Sequence, residues 1–268
     1  MMQISVITAV TANLDELAET LESQRQALIF ASDQVELQVL IVAPNFDERL
    51  EKVILEAHRA GLGRIDKVCD QGLGISAAFN AGMREAKGEL ITVLNAGDLW
   101  FENTLCAAHR AHRRSPQALV HSAITFEDQS GARYVVASRP HRLKRRMSIF
   151  HPTLFVPYEM QRAIGEFDER YRLAMDSNWC HRAIAAGVSF EEAESSLAIM
   201  RLGGRSDVGY AVALAEFRTS VVEEGLCSST EACLHYWRVK LVKDLTHLPV
   251  FRRWLSGWRA SAQRIGRR

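Results

Sequence analysis

DQGLGISAAFNAGMREAKGELITVLNAGDLW, residues 70–100, is the stretch of this sequence that decides the fold. Its pattern predicts a turn of small residues, a helix that ends at Gly88, and a buried strand over residues 89–94. The strand leads into a polar turn that contains Asn95 and Asp98. Because open α/β sheets bind ligands outside the carboxyl ends of their strands, a carboxylate at this point predicts a nucleotide-using enzyme.

The segments before this stretch alternate in the same way between strand and helix patterns. Apolar strands are predicted at 4–10, 35–42 and 64–69, and helices with apolar spacing lie between them. The order βαβαβαβ predicts an α/β fold with a mainly parallel, doubly wound sheet. Beyond residue 100 the pattern predicts helices at 101–114, 178–186 and 208–224, and strands at 121–126 and 134–137.

Composition narrows the class of protein. The 268 residues are 47% hydrophobic and 24% charged with a net charge of +1, which indicates a globular protein and argues against a general nucleic-acid binder. The five cysteines form no CxxC pair, which favours reduced thiols over a disulfide or zinc framework. Without a basic n-region or an apolar run of about 20 residues, we expect a cytoplasmic protein.

Five motifs, taken in order, resemble the family 2 glycosyltransferases of the GT-A fold, especially the bacterial type that builds cell-surface polysaccharide. They are SVITAV (5–10), DQGLGISAAFNAGM (70–83), LNAGD (94–98), HPTLFVP with IGEFDERYRLAMD (151–157 and 164–176), and LGGRS (202–206). The resemblance covers about the first 210 residues. The sequence pattern predicts a GT-A domain over residues 1–225, followed by a basic, tryptophan-containing helical extension over 226–268. The resemblance also implies transfer of a sugar from a UDP- or GDP-sugar to a growing cell-surface glycan, with inversion.

The resemblance places the metal-binding turn of the family on residues 95–98. Asp98 would then bind Mg²⁺ or Mn²⁺ with Asn95 assisting, because a divalent cation stabilises the charge that builds on a leaving diphosphate. The alternative is that Asn95 and Asp98 only shape a turn between a strand and a helix.

The resemblance also proposes residues for the transfer step itself. Asp176 takes the position of the general base that removes the proton of the acceptor hydroxyl. Its alternative role is to cap the helix predicted from Asn178. His151 is a third metal ligand, a diphosphate contact or part of the acceptor pocket, or else a polar residue without a catalytic role.

For the nucleotide, we expect the backbone of Thr8, Ala9 and Val10 to line the pocket for base and ribose. Asp70 is the candidate for a polar contact with the base. Asn80, on the following helix, either binds the nucleotide or holds the adjoining loop in place.

Two other segments each have two possible interpretations. Arg205 and Ser206 belong either to a mobile loop that reaches the diphosphate or acceptor, or to a plain β-turn. The basic loop at 139–146 either binds substrate phosphates or is simply solvated. Ala43 and Ala77 replace acids that the family pattern has, and this reduces the acidity of the donor site.

The chain after residue 234 combines aromatic residues with an excess of positive charge. Trp237, Phe251, Trp254 and Trp258 lie among nine cations and the single acid Asp244: Arg238, Lys240, Lys243, Arg252, Arg253, Arg259, Arg264, Arg267 and Arg268. This pattern favours a helix on an anionic membrane that carries a lipid-linked acceptor. The alternative is that the tryptophans pack on the domain and the cations form a solvated face.

Two rival functions follow from the same residues. A degenerate GT-A domain could act as a scaffold in polysaccharide assembly without catalysis, which the missing acids favour and Asp98 and Asp176 disfavour. A nucleotidyltransferase shares the sheet layout, but such enzymes carry a glycine-rich basic loop after the first strand. Here that position holds TAVTANLDE, which is acidic and lacks glycine. A nucleotidyltransferase is therefore the least favoured of the three functions.

Overall fold

The computed structural model describes residues 1–10, 13–128, 130–202 and 209–247, without the side chains of 32 and 243–247. The strands of this part of the chain are β1 (Met2–Ala9), β2 (Val35–Ala43), β3 (Arg64–Cys69), β4 (Leu90–Val93), β5 (Leu99–Trp100), β6 (Leu119–His121), β7 (Ile124–Glu127), β8 (Arg133–Val136), β9 (Phe155–Pro157), β10 (Phe190–Glu192) and β11 (Ala198–Arg201).

The α-helices of the described residues are α1 (Leu14–Ala31), α2 (Glu48–Arg59), α3 (Ile75–Glu85), α4 (Thr104–Arg114), α5 (Tyr158–Ile164), α6 (Met175–Ala185), α7 (Tyr210–Glu223) and α8 (Ser229–His247). None of the helices in these residues is both long enough and apolar enough to cross a membrane. Trp254, Trp258 and Phe251 of the basic C-terminal region lie outside the described part of the chain.

Seven strands form the larger sheet in the order β10-β6-β9-β4-β1-β2-β3. Neighbouring strands are parallel except at β9, which pairs antiparallel with both β4 and β6. From β1 the chain builds outward to β3 and then returns to place β4 on the other side of β1. The direction of winding therefore reverses between β1 and β4, which is where such sheets open a ligand-binding crevice.

Strand β1 is buried on both faces, as its run of apolar residues predicts. Ile4 and Val6 pack into the core on one side of the sheet, with α1, α2 and α4, whereas Ile7 and Ala9 pack into the core on the other side, with α3 and α6. This alternation follows from the two-residue period of a strand. The predicted parallel α/β sheet is thus observed.

The second sheet was not expected as a separate unit. Its order is β5-β11-β7-β8, and the single strand predicted over 121–126 is in fact split between β6 of the large sheet and β7 of the small one. The chain changes sheets at Ser122, whose carbonyl accepts a hydrogen bond from Thr153 Oγ1 and whose hydroxyl accepts one from the Leu197 N–H. Partners more than 30 residues away decide this break, so a local pattern does not predict it.

Candidate active site

A cavity of about 1730 Å³ opens at the carboxyl ends of β1 and β4. Its lining contains most of the side chains that the sequence singled out for chemistry: Ala9, Val10, Asn95, Asp98, His151 and Asp176. These residues come from four separate stretches of sequence, and the reversal of winding between β1 and β4 brings the first two of those stretches together.

The turn at 95–98 is fixed by α1 as well as by its own backbone. The Asp98 N–H donates to the Asn95 carbonyl at 3.0 Å, and Gly97 adopts a φ of +101°, which favours glycine. The fully buried hydroxyl of Thr20 accepts a hydrogen bond from the Gly97 N–H at 3.0 Å and lies 2.9 Å from the Asp98 carbonyl. Helix α1 therefore holds the carboxylate of Asp98 in place at the cavity wall.

His151 connects the two polar residues of this turn. Its Nε2 lies 3.0 Å from Asn95 Nδ2 and 3.5 Å from Asp98 Oδ2. Because an amide N–H can only donate, the first contact makes His151 Nε2 an acceptor in a neutral ring. Two acceptor atoms, Nε2 and Asp98 Oδ2, then face each other, and they repel unless a proton or a cation neutralises them.

The residues around this turn fit a divalent cation that takes few ligands from the protein and others from the substrate. No group of three or more His, Cys, Asp or Glu side chains in the described residues is arranged to hold a metal. However, Asn95 Oδ1 is buried without a hydrogen-bond partner, in the same turn as Asp98. Mg²⁺ is commonly bound by one or two protein oxygens when substrate phosphates supply others. Asn95 and Asp98 match that kind of site.

Asp176 lies in the first turn of α6, on another wall of the same cavity. Glu216 of α7 fixes the entry to this helix, because its carboxylate accepts the backbone N–H groups of Arg172, Leu173 and Ala174 at 2.8–3.0 Å. The helix begins three residues earlier than predicted, so Asp176 is not its cap. Its Oδ1 accepts the N–H of Ser177 at 2.6 Å.

The surroundings of Asp176 change its acidity. Burial raises the pKa of the Asp176 carboxyl above the usual range, while the hydrogen bonds from Ser177 act in the opposite direction. A carboxylate with a raised pKa is a stronger base, which suits proton abstraction near neutral pH.

Three residues predicted for the nucleotide site lie outside the lining of the cavity. The side chain of Thr8 is fully buried and accepts a hydrogen bond from Gln24 of α1 at 3.0 Å. Asp70 follows β3 and accepts the N–H of Gly72 at 3.2 Å, which shapes its own loop. Asn80 is 1% exposed.

The side-chain amide of Asn80 forms hydrogen bonds with the segment before α6. Its Oδ1 accepts the Phe167 N–H at 2.8 Å, and its Nδ2 donates to the Phe167 carbonyl and to Glu169, each at 3.0 Å. Of the two roles that the sequence left open, the geometry matches the one that holds the adjoining loop. Arg205 and Ser206, the remaining predicted contacts, lie outside the described residues.

Sequence reasoning missed Thr20 and Glu216, which position the two carboxylates. Neither residue lies in a motif, and each acts on a segment more than 40 residues away. The apolar spacing of α1 and α7 gives no sign that one polar residue on each helix turns inward.

A family model described as glycosyl transferase family 2 matches residues 5–169, which is more than half of the chain. The chain belongs to glycosyl transferase family 2. The predicted resemblance to this family is therefore confirmed, over a match that ends before the LGGRS motif at 202–206. Among curated proteins, none matches the sequence of this family 2 member.

Solved structures share the fold of this chain. S. aureus TarS in complex with UDP-GlcNAc is 13% identical with a TM-score of 0.63, covering 88% of this chain and 70% of that one. A mannosyltransferase of Pyrobaculum calidifontis, in complex with GDP-Man and Mn²⁺, is 15% identical with a TM-score of 0.57, covering 97% and 80%. A further structure of S. aureus TarS is 14% identical with a TM-score of 0.62, covering 86% of this chain, which spans only 41% of that one. The predicted GT-A fold with a helical C-terminal part is confirmed.

Proposed function

We propose that this protein transfers a sugar from a nucleoside-diphosphate sugar to a hydroxyl of a growing cell-surface glycan, with a divalent cation and with inversion. The observation that carries the proposal is that one cavity contains both Asp98, on the turn after β4, and Asp176, at the start of α6. Family membership supports the reaction class.

The donor is proposed to lie along the carboxyl ends of β1 and β4, where Ala9 and Val10 line the cavity. The ligands of the two related structures, UDP-GlcNAc and GDP-Man, support a UDP- or GDP-linked hexose or N-acetylhexosamine as the donor. Asp98 and Asn95 would hold Mg²⁺ or Mn²⁺, which when bound supplies Lewis-acid stabilisation of the leaving diphosphate.

Asp176 is the proposed general base. Its carboxylate accepts the proton of the acceptor hydroxyl as that oxygen attacks the anomeric carbon, and its raised pKa favours this transfer. The hydrogen bond from the Ser177 N–H and the anchoring of 172–174 by Glu216 hold the carboxylate in position.

The first test is thermal unfolding with UDP, GDP, CMP and dTDP, each with and without Mn²⁺. A ligand at 100 times its Kd stabilises the protein by about 2.7 kcal/mol, so we expect one nucleotide to raise the Tm in the presence of Mn²⁺. The rise should disappear in Asp98→Asn and persist in Asp33→Asn, which removes an exposed carboxylate outside the cavity. A protein that binds none of the nucleotides would instead be a non-catalytic GT-A scaffold.

The C-terminal helix is the proposed contact with an anionic membrane surface at the inner face of the cell membrane. Leu234, Trp237 and Leu241 of α8 follow each other at spacings of three and four residues, so they share one face, and they are 59–69% exposed. Arg238 lies on the same face, and each cation near such a membrane contributes about 1 kcal/mol. This surface adjoins the cavity, which Leu234 and Arg238 also line, so a lipid-linked acceptor would be delivered to its mouth.

Sedimentation with vesicles tests the membrane contact. We expect the full chain to bind phosphatidylglycerol vesicles and not phosphatidylcholine vesicles, and the double variant Trp237→Ala/Leu241→Ala to bind several-fold more weakly. Ile29→Ala/Leu55→Ala is the matched control, because these residues are also exposed and apolar but lie on α1 and α2. Equal loss in both double variants would contradict the proposal.

A further inference from the structure

A cluster of positively charged side chains lies in the same cavity, on the wall formed by the loop after β8 and by α7 and α8. Five cations line it, and we name them the cationic rim: Lys144, Arg145, Arg146, Arg218 and Arg238. None of the proposed donor or catalytic residues belongs to this group.

The loop that carries the first three cations is held in a fixed conformation. Leu143 is fully buried, and its carbonyl lies 3.1 Å from Nε2 of His181, which is itself buried in α6. The Lys144 carbonyl accepts a hydrogen bond from Cys227 Sγ at 3.7 Å, and Ser148 Oγ donates to the Arg139 carbonyl at 2.7 Å. These contacts set the direction of the backbone from which the three exposed side chains extend at the cavity wall.

Arg218, the rim cation on α7, is also held in position by a neighbouring side chain. The guanidinium of Arg218 lies over the ring of Tyr236 of α8, 5.0 Å from its centroid. A guanidinium on an aromatic face keeps its N–H donors in the plane, where they can bind an anion in a bidentate way.

Among the described residues, no member of the rim forms an ion pair within 4.0 Å. Glu231 of α8 also lines the cavity, and its carboxylate accepts the hydroxyl and N–H of Ser228. These hydrogen bonds and the charge of Arg145 lower the pKa of Glu231. Five cations and one carboxylate leave a site for a multivalent anion.

The size of the cavity leaves room for this anion beside the donor. Pockets that enclose a single small ligand are commonly 300–1,000 Å³, and this cavity measures about 1730 Å³. The donor diphosphate is assigned to the end that contains Asp98, so the rim is left for the second substrate.

We propose that the cationic rim binds a phosphate or diphosphate group carried by the acceptor. The inference rests on the proposed function, because it takes the second substrate to be a sugar acceptor. Two kinds of acceptor carry such an anion: a lipid-linked diphosphate and a polymer that contains phosphate. The rim selects acceptors by charge, through side chains on other elements than those that carry Asp98 and Asp176.

The test is a calorimetric titration of the full chain with inorganic pyrophosphate in the presence of EDTA, which measures the affinity for pyrophosphate. Without a divalent cation the turn at Asp98 does not contribute, so we expect binding to the wild type and equal binding to Asp98→Asn. Arg145→Ala/Arg146→Ala should weaken binding at least tenfold. The matched control is Arg139→Ala/Arg142→Ala, which removes the same charge from exposed residues of the same loop that do not line the cavity.

The outcomes separate this inference from the proposed function. Loss of pyrophosphate binding in both double variants alike, or in neither, would overturn the rim as a site. Loss of vesicle binding in Arg145→Ala/Arg146→Ala with unchanged pyrophosphate binding would also overturn it, in favour of a membrane contact. If no nucleotide binds the wild type, the proposed function fails, and the pyrophosphate titration still reports on the rim by itself.

Geranyl diphosphate distinguishes the two sources of the anion. The cavity wall beside the rim contains apolar side chains, among them Phe217 and Leu226. Binding of geranyl diphosphate at least tenfold more tightly than pyrophosphate would indicate a lipid-linked acceptor, whereas equal affinities would indicate a polymer phosphate; both results support the rim as the binding site.

Discussion

At the scale of single residues, the two carboxylates of the cavity differ in what surrounds them. Asp98 lies on a tight turn 3.5 Å from the acceptor nitrogen of His151, and the unpartnered Asn95 Oδ1 belongs to the same turn, an arrangement that favours a cation. Asp176 lies among protein atoms that raise its pKa. One cavity therefore offers two carboxylates with different chemistry, which a donor site and a base require.

The pH dependence of transfer should report the protonation of Asp176. A general base must be ionised, so kcat/KM is expected to fall as the pH drops through a pKa that lies above the ordinary carboxyl range. Asp176→Asn should lower kcat by roughly 10²–10⁴-fold and leave nucleotide binding unchanged. A steady-state pH profile with the donor found by thermal shift checks both expectations, and an acidic limb at the ordinary aspartate pKa would contradict the assignment.

Gly88, just before β4, lies against the backbone of β1. A Cβ at this position would lie 2.5 Å from the Ser5 nitrogen of β1 and 2.8 Å from the Leu90 carbonyl, so the backbone itself would have to shift. We expect Gly88→Ala to lower the free energy of unfolding by about 3 kcal/mol. Urea denaturation measures this, with Gly131→Ala as the comparison.

Gly131 has open space around it and a φ of +80°, so only backbone strain of about 1 kcal/mol is expected there. Equal effects in the two variants would show that close packing at Gly88 is not what requires glycine.

At the scale of elements, the site depends on how helices hold the loops between strands. Thr20 of α1 holds the turn at Asp98, Glu216 of α7 holds the start of α6, and Asn80 of α3 holds Phe167. In each case one polar side chain satisfies backbone groups of a loop that is distant in the sequence.

Asn80→Ala separates the structural role of this residue from a binding role. The substitution leaves the N–H and carbonyl of Phe167 without their partner, and we expect a loss of about 2–4 kcal/mol in the free energy of unfolding. Nucleotide affinity, measured well below the Tm, should stay within twofold of the wild type. The control Asn103→Ala removes a single exposed hydrogen bond to Ser195 and should cost less than about 1 kcal/mol. A drop in affinity with little loss of stability would assign Asn80 to the nucleotide site.

At the scale of the whole molecule, two buried histidines link stability to pH. His121 and His181 are 3% and 0% exposed, and burial lowers the pKa of each to about 4. His181 Nε2 donates to the Leu143 carbonyl and its Nδ1 lies 2.7 Å from Ser220 Oγ, so the neutral ring joins α6, α7 and the basic loop.

Acidification should therefore destabilise the fold in a defined range. In the unfolded chain both histidines take up protons near pH 6.5, but in the folded protein they do so only near pH 4. The unfolded state binds more protons between these values, so stability is full above pH 6.5 and falls towards pH 4, by about 3 kcal/mol for each histidine. Urea denaturation from pH 7 to pH 4 measures the slope.

The variant His121→Phe should reduce that slope by about 1.4 kcal/mol per pH unit, which is the contribution of one proton. An unchanged slope in the variant would exclude His121 as one of the groups responsible.

The fold class followed from the sequence because its signals are local. Alternating strand and helix patterns up to Leu94 predicted the parallel sheet, and β3 was predicted with the observed bounds. The turn after β4 was also predicted as the site, because a glycine and two polar residues after an apolar strand imply a turn at the edge of the sheet. Domain boundaries near Gly225 stay a prediction.

Only the tertiary structure decided which side chains meet. Nothing local in the sequence shows that Ser122 splits one predicted strand between two sheets, or that Asn80 faces Phe167 and not the cavity. The same holds for the cationic rim, whose members lie on a loop and two helices up to 94 residues apart. Strand and helix periods are set by neighbours in the chain, whereas burial, the raised pKa of Asp176 and the partners of polar groups depend on segments that only folding brings together.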